Sequence, residues 1–450
     1  MTVSHGENTG ALTHGNTPSE STTHLIRRDQ SVFYHQVLSS PVFNTVSKVE
    51  GAYLFDGEGN RYLDLHGNGV HTVGYHNPKV VAALQHQLDN SLSFAPRRFT
   101  NHPAVVLAEK LIEIAPSELT RVLFCPGGSE AIEMATMLAK QVTGRWKTLS
   151  YYGTFHGAGF QAVALGADPH FRQGLGPTMP GALHLELPDY YRNPWGWSNR
   201  QQIEDAYLHQ LKTHLTFNPE IAALITEPIF YNSTVPTPYY WQEVKSLCQQ
   251  HGIILIFDEI YTAFGRTGKM FAAEHFVTPD ILVVGKGFGG GLVPFAGLIG
   301  RESLNVIGQT TSIGHYTHEK NPLCAAVAKA VLEYVLETDL VNQAELLGAY
   351  FKEGLISLQE EFTLIGEVRG LGLNLAVDLV KDRDTKARAT EEAHSLMNYC
   401  MHRSISFKLI QGNILNLKPA LVITKDEIDH IMNVLRKGLK ALQQQASLRI

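Results

Sequence analysis

Ile253-Ile254-Leu255-Ile256-Phe257-Asp258 and Ile281-Leu282-Val283-Val284-Gly285-Lys286 are two short apolar runs that end in opposite charges, with Lys286 lying 28 residues after Asp258. Such runs, bounded by turn formers and too short for typical helices, read as strands buried on both faces of a parallel sheet. A carboxylate and an amine delivered by two buried strand ends point to one group held between them.

A third segment carries the same pattern. After Val122-Leu123-Phe124-Cys125 comes Pro126-Gly127-Gly128-Ser129-Glu130-Ala131, then apolar residues at helical spacing, Ala131, Met134, Ala135 and Leu138. A strand, a glycine turn and a helix start leave unpaired N–H groups at the positive end of the helix dipole, where a phosphate binds. Gly128 and Ser129 are the candidate phosphate ligands; a plain N-cap role would explain Ser129 but not the two glycines before it. A lysine, a carboxylate and a phosphate cradle together fit pyridoxal 5'-phosphate, which binds covalently to a lysine and needs a carboxylate at its ring nitrogen.

Around these segments, strand candidates Val122 to Phe124, Lys147 to Ser150, Ala222 to Thr226, Ile253 to Phe257, Ile281 to Val284 and Ala296 to Ile299 alternate with helical stretches. This predicts an α/β fold with a mostly parallel, doubly wound sheet, whose ligands collect at the carboxyl ends of the strands. At 450 residues the chain exceeds one core, so a smaller α+β domain is expected beside the large one. The expected division is a partly disordered tail over 1–30, the N-terminal part of the small domain over 31–75, the cofactor-binding large domain over 76–335 and the C-terminal part of the small domain over 336–450. Residues 51–64 read as a hairpin, a helical stretch starts near Val331, strands lie near Gly366 to Val377, and a last helix starts at Lys425. Gly285-Lys286-Gly287-Phe288-Gly289-Gly290 matches a dinucleotide fingerprint, but the following Gly291-Leu292-Val293-Pro294 cannot open the helix that motif requires, so the segment reads as a flexible loop around Lys286.

Composition narrows the function classes. With 37 basic and 43 acidic residues the net charge is -6, and no basic block argues for nucleic acid. Cys125, Cys248, Cys324 and Cys400 are widely spaced and read as reduced core thiols; no metal-ligand spacing is present, so no metal is expected. No apolar stretch approaches membrane-span length and Met1 to Gly6 lack signal-peptide features, so the expectation is a cytoplasmic protein with no membrane partner.

From about Val32 to near its C-terminus the chain resembles the class III (omega-aminotransferase) branch of fold-type I pyridoxal-phosphate enzymes. The resemblance rests on Gly127-Gly128-Ser129-Glu130-Ala131, Phe155-His156-Gly157, Glu227-Pro228, the run Asp258 to Gly268, Pro279-Asp280 through Lys286, and Thr317 before Asn321-Pro322. It implies that Lys286 carries the cofactor and Asp258 pairs with the pyridinium nitrogen. It further implies that Phe155 and Ile260 pack on the two ring faces, that His156 and Glu227 also contact the cofactor, and that Thr317 reaches the phosphate of a neighbouring subunit in a homodimer with shared active sites. Phe155 and Ile260 depart from the more usual Tyr and Val but keep the packing role.

Glutamate-using members carry an arginine in a segment of the form Asn-x-x-Arg-x-x-Pro-Pro-Leu, where it clamps a substrate carboxylate. Here Asn413 to Leu421 place Asn416 at that position. Losing a charge-assisted pair costs roughly 2–5 kcal/mol where the remaining charge is buried. Either 2-oxoglutarate turnover is weak, or Lys418 compensates, or the short alignment is shifted by a turn. The family includes lyases of small amino alcohol phosphates and phosphonates that need no oxo acid, and the chain as a whole resembles these. The expectation is therefore a lyase that takes a small-molecule amine, (R)-1-hydroxy-2-aminoethylphosphonate, to phosphonoacetaldehyde and ammonia. Arg97 and Arg98, in a segment lining the family's substrate mouth, read either as the phosphonate clamp or as a solvated pair. The alternative activity is an omega-transaminase; a non-catalytic regulator is disfavoured by the intact Lys286 and Asp258.

Overall fold

The computed structural model describes residues 19–36, 42, 44–96, 98–306 and 311–447. At the end of the tail expected to be partly disordered, Glu20–Val32 form a helix whose N-cap, Ser19, accepts from the Thr22 N–H. Strands β1 (Val46–Glu50), β2 (Tyr53–Asp56) and β3 (Arg61–Asp64) form an antiparallel meander that includes the predicted hairpin.

The large sheet comprises β4 (Leu119–Cys125), β5 (Lys147–Tyr151), β6 (Ala182–Leu185), β7 (Ile221–Thr226), β8 (Ile254–Asp258), β9 (Ile281–Val284) and β10 (Ala296–Arg301), in the order β4-β10-β9-β8-β7-β5-β6. All the pairings among β5 to β9 are parallel, and β10 runs antiparallel to both its neighbours. Alternate side chains feed two apolar layers. Ile225, Ile256, Ile281 and Val283 pack with Ala131, Met134, Ala135 and Leu138 of the helix Gly128–Thr143. Leu224, Leu255, Phe257 and Leu282 pack on the opposite face with Leu211, Trp241 and Val244. Coverage on both faces is why these strands read as continuous apolar runs rather than alternating ones.

The C-terminal segment adds β11 (Ile365–Leu371), β12 (Asn374–Leu379), β13 (Ile405–Ser406), β14 (Lys408–Ile410) and β15 (Ile414–Leu417). Four of them make an antiparallel sheet, β11-β12-β15-β14, while β13 pairs in parallel with β3. The helix expected from Val331 starts earlier, at Pro322, because Asn321 caps it by accepting from the Cys324 N–H and proline is favoured at the first helical position. A second helix follows over Leu340–Glu361, and the last runs Lys425–Ser447 as expected.

Two backbone hydrogen bonds join the N- and C-terminal segments to each other. The Lys418 N–H donates to the Leu65 carbonyl (2.8 Å) and the Leu421 N–H to that of Thr72 (3.0 Å). The loop between Leu65 and Thr72 is thereby held against the residues that follow β15.

Candidate active site

Because β7, β8 and β9 are adjacent and parallel, their carboxyl ends deliver Glu227, Asp258 and Lys286 side by side. With Gly128, Ser129, Phe155, His156, Gly157, Ile260 and Tyr261 they line one cleft. Gly127 is the N-cap of the helix Gly128–Thr143 and supplies no side-chain cap, so N–H groups of its first turn stay open to an anion. The Ser129 hydroxyl accepts from the Ala158 N–H (2.9 Å), which leaves its own proton free to donate. Gly157, at φ +135°, is required by close approach: a Cβ there would lie 2.8 Å from the Ser129 Cα.

Asp258 is fixed by two contacts. One carboxylate oxygen accepts from the Ile260 N–H (3.1 Å), and the other lies 2.7 Å from His156 Nδ1 in a fully buried pair. The Nε2 of His156 is buried and without a partner. A buried carboxylate beside the cleft, an orphaned imidazole nitrogen, an uncapped helix start and a half-buried amine fit pyridoxal phosphate.

Lys286 does not sit in a flexible loop. Lys286–Gly289 form a tight 3-10 turn whose Gly287, Phe288 and Gly289 are buried, and Lys286 itself adopts φ +47°. Strain of this kind persists only where packing over-determines the backbone. The packing is supplied by the loop after β3: a Cβ on Gly287 would lie 2.1 Å from Thr72 Oγ1, and one on Gly69 would lie 2.9 Å from the Lys286 side chain and 2.7 Å from Tyr261. Burial lowers the pKa of Lys286, against the opposing pull of Asp258 and Glu227. Burial raises that of Glu227 to about 7, moderated by His156.

The family is now decided by comparison. Residues 34–439 match the family model described as aminotransferase class-III. The chain belongs to the class-III aminotransferase family. It is 38% identical over 93% of its length to the (R)-1-hydroxy-2-aminoethylphosphonate ammonia-lyase of Vibrio splendidus, covering 90% of that protein. It is 36% identical over 88% of its length to the leucine/methionine racemase of Thermococcus litoralis, also covering 90% of it. Its fold superposes with a TM-score of 0.86 on an amine transaminase from an uncultivated Pseudomonas species in its PLP-bound form, at 30% identity, covering 91% of this chain and 98% of that one. The cofactor of this class-III enzyme is pyridoxal 5'-phosphate.

Not every expected site residue reaches the cleft. Arg97 lies outside the described residues, and Arg98 is exposed in a turn away from the cleft lining. Thr317 is exposed and outside the lining. Asn416 is buried on β15, with its Oδ1 unpartnered. Arg266 has a structural role, its guanidinium donating to the carbonyls of Leu373 and Pro419.

The sequence reading missed Tyr261, which carries Lys286 Nζ 5.1 Å from its ring centre and Lys418 Nζ at 4.6 Å. It also missed the Gly67–Gly69 turn. Tyr261 stands inside the quoted Asp258 to Gly268 run, so its place three residues after Asp258 was the available signal. The contact of residue 69 with residue 286 had none.

Proposed function

We propose that this enzyme is an ammonia-lyase that converts (R)-1-hydroxy-2-aminoethylphosphonate to phosphonoacetaldehyde and ammonia. The observation that carries the reading is Asn416: where glutamate-using members place a guanidinium, this chain buries a neutral carboxamide with an unpartnered oxygen. An oxo-acid carboxylate finds no bidentate partner there. The likeness to the Vibrio splendidus lyase along nearly the whole chain supports the same reading.

Bound pyridoxal phosphate supplies an electron sink that makes the C–H bond of the amine-bearing carbon acidic. This chain's residues then determine the outcome. Asp258, held by His156 and Ile260, presents a fixed negative charge to the ring nitrogen. Lys286, its pKa lowered by burial against the pull of Asp258 and Glu227, is the amine placed to take the proton from carbon. Loss of the neighbouring hydroxyl as water, and later addition of water, give net release of ammonia without an amino acceptor.

The test is release of ammonia and phosphonoacetaldehyde by the purified holoenzyme without any oxo acid. Sustained turnover supports the lyase. A single turnover that stops with the cofactor as pyridoxamine phosphate favours the second reading, an omega-transaminase, which the fold likeness to the Pseudomonas amine transaminase supports.

We also propose a homodimer in which Thr317 completes the partner's cofactor site. Its exposure outside its own cleft supports this, as does a neighbouring apolar groove lined by Val105, Ala108, Ile112 and Leu123. Sedimentation equilibrium giving a single-chain mass would refute it.

A further inference from the structure

Behind Tyr261, beyond the residues that line the cleft, lies a group of amines with no assigned role. Lys408 and Asn416 face each other across β14 and β15 as directly paired residues, so their side chains share one face of the sheet. Lys418 follows two residues after Asn416. Lys408 Nζ donates to Asn68 Oδ1 (2.9 Å), in the same turn as Gly69, which packs on Tyr261 and Lys286. Lys418, buried, donates to the Tyr231 carbonyl (2.9 Å) and stands over the Tyr261 ring.

An ammonium has three donors, and among the described residues the side-chain amine of each lysine makes one hydrogen bond. Neither forms an ion pair among the described residues; the carboxylates acting on them at longer range are Asp64 for Lys408 and Glu227 for Lys418. The pKa of His66 falls to about 2, first through burial and then through Lys408 and Lys418, with smaller contributions from His71 and Lys286. The contacts place the amines in one region: Lys286 and Lys418 both stand over Tyr261, and Lys408 reaches the turn whose Gly69 packs on Tyr261 and Lys286. Opposite Lys408 on the sheet, the buried carboxamide of Asn416 has an unpartnered Oδ1, and a half-turn about its last bond presents Nδ2 in its place.

We propose that Lys408, Asn416 and Lys418 form an anion subsite beside Tyr261 that takes the tetrahedral dianion of the substrate, the role the sequence suggested for Arg97 and Arg98. This rests on the lyase reading for the identity of the ligand, but not for its test. Burial lowers Lys418 to about 7, and a bound dianion favours its ammonium form; with a neutral amide beside it this suits a phosphonate, which offers three oxygens to separate donors, whereas a planar carboxylate is matched by a guanidinium fork.

The experiment is calorimetric titration of the holoenzyme with methylphosphonate, comparing the parent with Lys408→Met and Lys408→Arg. Lys408 carries the test because it lies at the exposed rim, while replacing buried Lys418 risks the fold. Binding by the parent, weakened about tenfold or more in Lys408→Met and largely kept in Lys408→Arg, supports the subsite. Equal binding in the parent and Lys408→Met, or no binding by the parent at concentrations on the order of 100 mM, overturns it. Ammonia release is scored separately. A parent that binds methylphosphonate through Lys408 but releases no ammonia defeats the lyase reading alone. A parent that turns over the aminophosphonate with the same KM as Lys408→Met defeats the subsite alone.

Discussion

Burying an amine and burying a carboxyl move their proton equilibria in opposite directions, and Lys286 and Glu259 show both. Lys286 is pushed toward its free base, the form that attacks the cofactor and takes a proton. Replacing it with alanine should lower turnover by about 10²–10⁴-fold or more and abolish the absorbance of lysine-bound cofactor. Unchanged turnover would remove Lys286 from the chemistry. Glu259 is fully buried under β8, accepts from the N–H groups of Ala272 (2.6 Å) and Ala273 (2.8 Å), and is raised by burial to about 7. Its folded pKa exceeds the unfolded value near 4.3, so the folded state binds more protons between these limits. Stability from this group is therefore full below about pH 4.3 and is lost as the pH rises through about 7. Urea midpoints of the parent should fall relative to Glu259→Gln between pH 5 and 8, by an amount on the order of 1.4 kcal/mol for each unit of pKa elevation. Parallel curves would contradict the assignment.

Each element that touches the cofactor site ends at it, and this decided what could be read in advance. Gly128, Ser129, Asp258 and Lys286 were legible because each follows directly on a strand, and the carboxyl end of a parallel sheet is where ligands gather. The 3-10 turn at Lys286–Gly289 was misread as flexible because its rigidity comes from Thr72 and Gly69, more than 200 positions away in sequence. The four-residue β6 and the early start of the helix at Pro322 escaped for a local reason: a short half-covered strand has little periodicity, and the Asn-Pro cap was read as part of a motif rather than as a helix signal. The turn joining β5 to the phosphate cradle gives a prediction at this scale. Gly157→Ala adds a Cβ 2.8 Å from the Ser129 Cα at a φ that side chains rarely adopt, so the helix start and the loop must separate. Cofactor affinity should fall by about tenfold or more and stability by more than about 1 kcal/mol. Cofactor dissociation at the parent's rate and an unchanged melting temperature would show that the contact is slack.

On the scale of the whole molecule, the N- and C-terminal segments had to be placed by contacts that no local pattern encodes. Composition and length indicated a second, smaller lobe, but not that β13 pairs with β3, nor that Lys418 stands over Tyr261 and Lys408 reaches Asn68 from the C-terminal segment. The tie between that sheet and the loops after β6 is a charged cluster. Asp378 on β12 is fully buried and accepts both guanidinium nitrogens of Arg192 (2.5 and 2.7 Å), together with the side-chain amide of Asn413 (2.7 Å) and a longer contact from Arg369 (3.3 Å). Arg192 also donates to the Lys386 carbonyl (3.1 Å), so one side chain joins three stretches of chain. A buried carboxylate that loses its bidentate partner is strongly destabilised, typically by about 3–5 kcal/mol, and the remaining Arg369 and Asn413 contacts place the cost at the lower end. Arg192→Met should therefore lower the melting temperature by several degrees, while Arg192→Met combined with Asp378→Asn recovers part of the loss because the uncompensated charge is removed. Neither change touches Lys286, Asp258 or the helix start at Gly128, so the absorbance of the lysine-bound cofactor at low temperature should match the parent's. A double variant no more stable than the single one would show that Arg192 acts through packing and the Lys386 carbonyl rather than through the charge of Asp378.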